Sequence, residues 1–211
     1  MTRACAALLL AALTALSAQA GSLEAHVTTA AGSSLEDTAV VLEPLSGGAL
    51  SARPPPAAIE QHDREFVPYL TIVQTGTAVD FPNRDPFKHH VYSFSPAKVF
   101  EIKLYAGKPA QPVRFDKPGE VALGCNIHDW MEAYVLVVDS RYFAKTGGNG
   151  QAVIANVPAG RYRLRLWHPR QKAVFPPHEI EIGAVLVKQE LMMNVAPRLI
   201  KPRSPLETDG Y

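Results

Sequence analysis

A chain of 211 residues, 47% of them hydrophobic and 19% charged, can bury one large or two small cores, which excludes a disordered or fibrous polymer. Its 21 basic and 20 acidic residues nearly cancel, so nucleic acid is not an expected partner. With two cysteines, Cys5 and Cys125, it is not a disulfide-stapled scaffold either.

Arg3, an apolar run over residues 6–16 and the small-residue end Ala18-Gln19-Ala20 follow the order of a secretory signal, so residues 1–20 are expected to direct export to the periplasm and to leave Gly21 first. The apolar run falls short of the roughly 20 residues that span a bilayer, and no later stretch replaces it, so the mature chain is expected to have no membrane span. Loss of Arg3 with the signal makes the charges equal. Cys125 is then the one cysteine left, and it cannot form an internal disulfide. A lone thiol in an oxidising compartment is a liability unless it is buried, paired between chains or ligated.

Pro and Gly interrupt the remaining chain at short intervals, and no 3.6-residue apolar period is sustained, so strands dominate. The pattern predicts them at residues 23–28, 38–43, 69–74, 78–81, 90–94, 99–105, 113–115, 120–125 and 133–138, then at 152–154, 162–167, 179–182 and 189–195. In Glu101-Ile102-Lys103-Leu104-Tyr105 the alternation points Ile102 and Leu104 inward. Residues 44–61, with Gly47-Gly48 and Pro54-Pro55-Pro56, read as an exposed connection, and residues 146–150 as a second break. The proline-rich residues 197–211 are expected to form a disordered tail. Many short strands with frequent turns indicate an all-β chain built from β-sandwiches.

The chemistry concentrates in Gly124-Cys125-Asn126-Ile127-His128-Asp129-Trp130-Met131, which sets a thiolate, an imidazole and a thioether in a C-x-x-H-x-x-M spacing. A type 1 copper site takes a cysteine, two histidines and a weak, long axial methionine. Cys125, His128 and Met131 are three of these, and His89 or His90, upstream in a turn-rich stretch between two predicted strands, supplies the fourth. Zinc is the rival ion, but a structural zinc site usually offers several cysteines, and a thioether is wasted on it.

Together these two motifs resemble the cupredoxin family, over about residues 62–139. Its upstream ligand typically stands in a His-Asn-Val sequence, so matching His89-His90-Val91 to that pattern implies that His89 is the ligand and that His90 replaces the family asparagine. The short loop with two residues in each gap is closest to amicyanin-like members. The resemblance implies a Greek-key β-sandwich holding one copper ion per chain, cycling between Cu+ and Cu2+, on His89, Cys125, His128 and Met131. Residues 146–169, with Val157-Pro158-Ala159-Gly160-Arg161-Tyr162-Arg163-Leu164, resemble the closing part of a carboxypeptidase regulatory-like β-sandwich. The expected layout is a copper domain over residues 21–139 and a second small sandwich over 140–196. Alternatively residues 21–45 belong to the second sandwich, and the copper domain is inserted in it.

Four such ligands leave copper no vacant strong position, which implies one-electron transfer rather than catalysis. Redox proteins such as a c-type cytochrome or a dehydrogenase are the expected partners, with the His128 edge as the port for electrons. The alternatives are a copper chaperone or storage protein, and a structural sandwich with a vestigial site. An enzyme would need a second, open copper centre, and the sequence has no His-x-His pair.

Overall fold

The computed structural model describes residues 20–47, 50 and 53–198. The signal expected at residues 1–20 lies outside them but for Ala20, and so does the expected tail beyond residue 198. Seventeen strands and no helix occur among the described residues. The fold is all-β, with fifteen strands in four sheets and the other two in a separate hairpin.

The first sheet joins β1 (Ala20–Thr29), β14 (Gln151–Pro158) and β17 (Leu186–Met193) in the order β14-β1-β17. The second joins β2 (Ala39–Pro44), β13 (Tyr142–Lys145), β15 (Gly160–Trp167) and β16 (His178–Ile182) in the order β13-β2-β15-β16. Between them Leu23, Val27, Val40, Leu42, Leu164 and Leu166 form an outer core. Residues 20–44 therefore take their strand partners from residues 142–193. In this pairing the strands of residues 57–138 leave the second sheet at the end of β2 and return to it at β13, which lies beside β2 with Tyr142 opposite Leu42.

The third sheet has the order β6-β12-β11-β8-β9, from β6 (Leu70–Gln74), β8 (His89–Ser95), β9 (Lys98–Tyr105), β11 (Gly119–Gly124) and β12 (Glu132–Val138). It packs on a small fourth sheet of β3 (Ala57–Ala58), β7 (Thr77–Asp80) and β10 (Val113–Phe115). Ile59, Val79, Phe81, Phe115, Val121, Leu123 and Val135 fill this inner core, together with Cys125 and Met131. A two-stranded hairpin, β4 (Glu60–His62) with β5 (Glu65–Val67), closes one end.

A third apolar cluster joins the two middle sheets, with Ala39, Val41 and Trp167 on one side and Leu70, Leu136 and Val138 on the other. Strand β12 is thus buried on both faces. Ala133, Val135 and Val137 enter the inner core, and Tyr134, Leu136 and Val138 face the junction. Trp167 adds a hydrogen bond across it, its Nε1–H donating to Glu120 Oε2 at 3.0 Å.

Two sequence expectations fail here. Residues 57–61 are not an exposed connection, because β3 pairs with β7 and Ile59 and Gln61 are fully buried. Leu104 does not point inward but is 52% exposed. The cause is a bulge: Val91 pairs with Ile102 and His89 with Tyr105, so two residues of β9 oppose His90 alone. The extra residue turns Leu104 outward and Tyr105 inward, where Tyr105 donates to Phe81 O at 2.6 Å and accepts from Gln61 Nε2 at 2.7 Å. The arginines of β15 form a solvated face, with Arg161 paired to Glu179 and Arg165 to Glu43.

Because the junction is apolar, the outer and inner sandwiches are expected to unfold together. Leu70→Ala at the junction and Leu164→Ala in the outer core should each lower one common denaturation transition by about 2–5 kcal/mol. Two separate transitions in urea, each moved by only one variant, would show that the junction does not couple the sandwiches.

Candidate metal centre

Cys125 follows the last residue of β11, Met131 precedes the first of β12, and His89 opens β8. The three strands are neighbours, with Gly124 opposite both Tyr92 and Glu132, so their ends meet at one end of the third sheet. The connection over residues 125–131 turns back on itself through a Met131 N–H bond to His128 O at 3.0 Å. Gly124, just before the cysteine, lets the Tyr92 ring pack against the strand, since a Cβ there would lie 2.7 Å from that ring and push it aside.

One ligand atom each from His89, Cys125 and His128 lies within 4.8 Å of the others, and all three residues are buried. Cys125 Sγ is 3.9 Å from His128 Nδ1, and the two imidazole rings are 4.9 Å apart. Met131 is 2% exposed and belongs to the same apolar cluster as Cys125. His90 stays out of the group. Its Nε2 faces Glu101 Oε1 at 2.9 Å, and its ring packs on Tyr92, as expected of a residue pointing to the opposite side of the strand from His89.

Around the donors lies a shell that, Trp130 apart, the sequence did not point to. His89 Nε2 is 2.6 Å from Asp85 Oδ2, a carboxylate whose side chain is 6% exposed. Asp85 also accepts the backbone N–H groups of Asp63 (2.8 Å) and Arg64 (3.0 Å), the two left-handed residues of the β4–β5 turn, at φ 55° and 60°. Asn83 fixes the loop that carries Asp85, accepting the Asp85 N–H and donating to Phe87 O and Tyr105 O. Phe87 lies against both histidine rings, 5.1 Å from His89 and 6.0 Å from His128, and Arg64 covers it at 4.7 Å. Half-buried Trp130 packs on His128 at 5.2 Å and donates to Arg64 O. The signal available in the sequence was an aspartate four residues before His89, inside a Pro-bounded turn.

The donors fit a soft metal ion. With Nε2 engaged by Asp85, His89 Nδ1 is buried and has no hydrogen-bond partner. Seven buried side-chain polar atoms of the described residues lack a partner, His90 Nδ1 among them, and His89 is the one of these residues grouped with a thiol and a second imidazole. A thiolate with two neutral imidazoles suits copper or zinc rather than calcium or magnesium.

Burial, then the neighbouring His89 and Arg64, push His128 down to about 4 from its ordinary 6.5, against the pull of Asp85. For Asp85, burial by itself would raise the carboxyl. The hydrogen bonds from His89 and from the Arg64 and Asp63 amides outweigh it and hold the group below the usual carboxylate range.

No protein-family model matches the chain, and no curated protein matches it. Among solved structures it is similar to a copper-containing nitrite reductase from Thermus scotoductus SA-01, at 24% identity over 46% of this chain and 26% of the reductase, with a TM-score of 0.39. The chain thus spans about a quarter of that enzyme's length. It is also similar to a purple cupredoxin from Nitrosopumilus maritimus (21% identity, 39% of this chain and 99% of that one, TM-score 0.35) and to a mutant amicyanin with Cu(I) (17% identity, 47% and 98%, TM-score 0.35).

The depressed His128 value sets a pH dependence for the metal-free protein. Between about pH 4 and 6.5 the unfolded chain binds a proton that folded His128 refuses, so stability rises with pH through that window and is fully present above it. Denaturation at pH 4.5 and 7.0 should differ by on the order of 3–5 kcal/mol, and His128→Gln should remove about half of the difference. Buried His168, also held down to about 4, supplies what remains. An unchanged slope in His128→Gln would contradict the assignment.

Proposed function

We propose that this chain is a periplasmic type 1 copper protein that carries single electrons and is not an enzyme. The observation that supports it best is the buried group of one thiol and two imidazoles, with one ligand atom of each within 4.8 Å of the others. In this reading His89, Cys125 and His128 would hold the ion, and Met131, at the far end of the same loop, would add a weak thioether donor. Copper in this ligand set supplies a one-electron couple.

The chain's own residues account for the rest. Burial in the inner core keeps the ligand atoms from water, and the ends of three paired strands fix their positions, so the shell need not rearrange when the charge changes. The His128 ring, 7% exposed and flanked by Phe87 and Trp130, is the proposed port where an electron enters or leaves. Its partner in that exchange would be a redox protein such as a c-type cytochrome or a dehydrogenase. The outer sandwich, which we read as carboxypeptidase regulatory-like, carries the copper-binding part as an insertion between β2 and β13.

Purified mature protein loaded with copper(II) should take up one ion per chain and show an intense visible sulfur-to-copper charge-transfer band, lost in Cys125→Ser. A colourless protein with a full equivalent of bound copper would overturn the proposal.

A further inference from the structure

Asp85 is the feature that the proposed function leaves unused. A lone backbone carbonyl would be enough to orient an imidazole, yet here the acceptor is a carboxylate with a 6% exposed side chain, 2.6 Å from His89 Nε2. We propose that Asp85 is a charged positioning residue, which presents His89 to the metal through Nδ1 and whose negative charge biases the bound ion toward its higher oxidation state. This inference rests on the copper reading above.

Two geometric facts carry it. First, a carboxylate can only accept, so the atom 2.6 Å away must be a donating Nε2–H. A neutral imidazole with its proton there has its lone pair on Nδ1, a buried atom with no hydrogen-bond partner. Asp85 thereby selects the tautomer able to ligate. Second, the carboxylate is anchored from the far side. Its oxygens accept the amides of Asp63 and Arg64, and Asn83 holds its own N–H, so it cannot swing away to water. A fixed anion on a ligating histidine makes that ligand more electron-rich and favours the ion of greater positive charge. The nearby cation, Arg64, sits over Phe87 and opposes this pull.

Asp85 also caps a turn, and a potential could shift simply because the turn moved. The test must separate the two effects. Asp85→Asn should be made in the natural chain and in an Asp63→Asn/Arg64→Gly background, whose turn favours the left-handed conformation without help from Asp85. With the visible band retained, redox titration should show the Cu(II)/Cu(I) equilibrium displaced toward Cu(I) at least tenfold in both settings, an upward shift of about 59 mV for a one-electron couple. An unchanged potential in either setting would overturn the charge role.

If Asp85→Asn fails to fold, nitrogen-15 NMR of the metal-free natural protein decides instead. The inference expects a proton on His89 Nε2, held in the hydrogen bond to Asp85, and a ring protonated on Nδ1 alone would overturn it. Loss of the visible band in the natural protein itself would bring down the copper reading as well. A normal band with an unmoved potential would bring down this inference alone.

Discussion

The Asp85 carboxylate accepts three hydrogen bonds where water can supply few: one from the ring of His89 and two from the turn between β4 and β5. Remove those donors and a buried negative charge has nothing to offset its lost hydration. Remove the carboxylate and two left-handed, non-glycine residues lose the cap that makes their conformation affordable. Three segments far apart in sequence, at residues 60–67, 81–89 and 125–131, thus become one end wall of the inner sandwich. Phe87 completes it by packing on the histidine rings, with Arg64 over Phe87.

That wall is only as rigid as the sheets beneath it. Cys125 and Met131 are held by the β11–β12 pair, and β12 is clamped between two apolar layers, the inner core and the junction with the outer sandwich. A charge change at the metal would therefore act on donors whose strands have little freedom to shift, because close-packed interiors resist small displacements. The outer sandwich contributes to the site in this indirect way. It buries the second face of β12, which would otherwise present Tyr134, Leu136 and Val138 to solvent.

Runs such as Ala39-Val40-Val41-Leu42 and Ala133-Tyr134-Val135-Leu136-Val137-Val138 lack the alternation of a half-solvated strand. Continuous apolar runs mark strands covered on both sides, and these two lie back to back at the junction. They were readable as strands from the sequence, though not as the pair that joins two sandwiches. Local alternation also misjudged β9, where the bulge opposite His90 shifts the pattern by one residue.

The sequence by itself determined the all-β class, nearly all of the longer strands, and the spacing of Cys125, His128 and Met131, because each is set by residues within one turn or one strand of each other. It narrowed the upstream histidine to two neighbours. Tertiary structure decided which of them faces the thiol, since that depends on which side of β8 is covered by the inner core. It also decided that residues 20–44 pair with the C-terminal strands, and that an aspartate in a turn is the acceptor for His89. The physical reason is the same in each case: strand partners and buried hydrogen bonds join residues tens of positions apart or more, or depend on which surface becomes buried, and neither leaves a period in the local pattern.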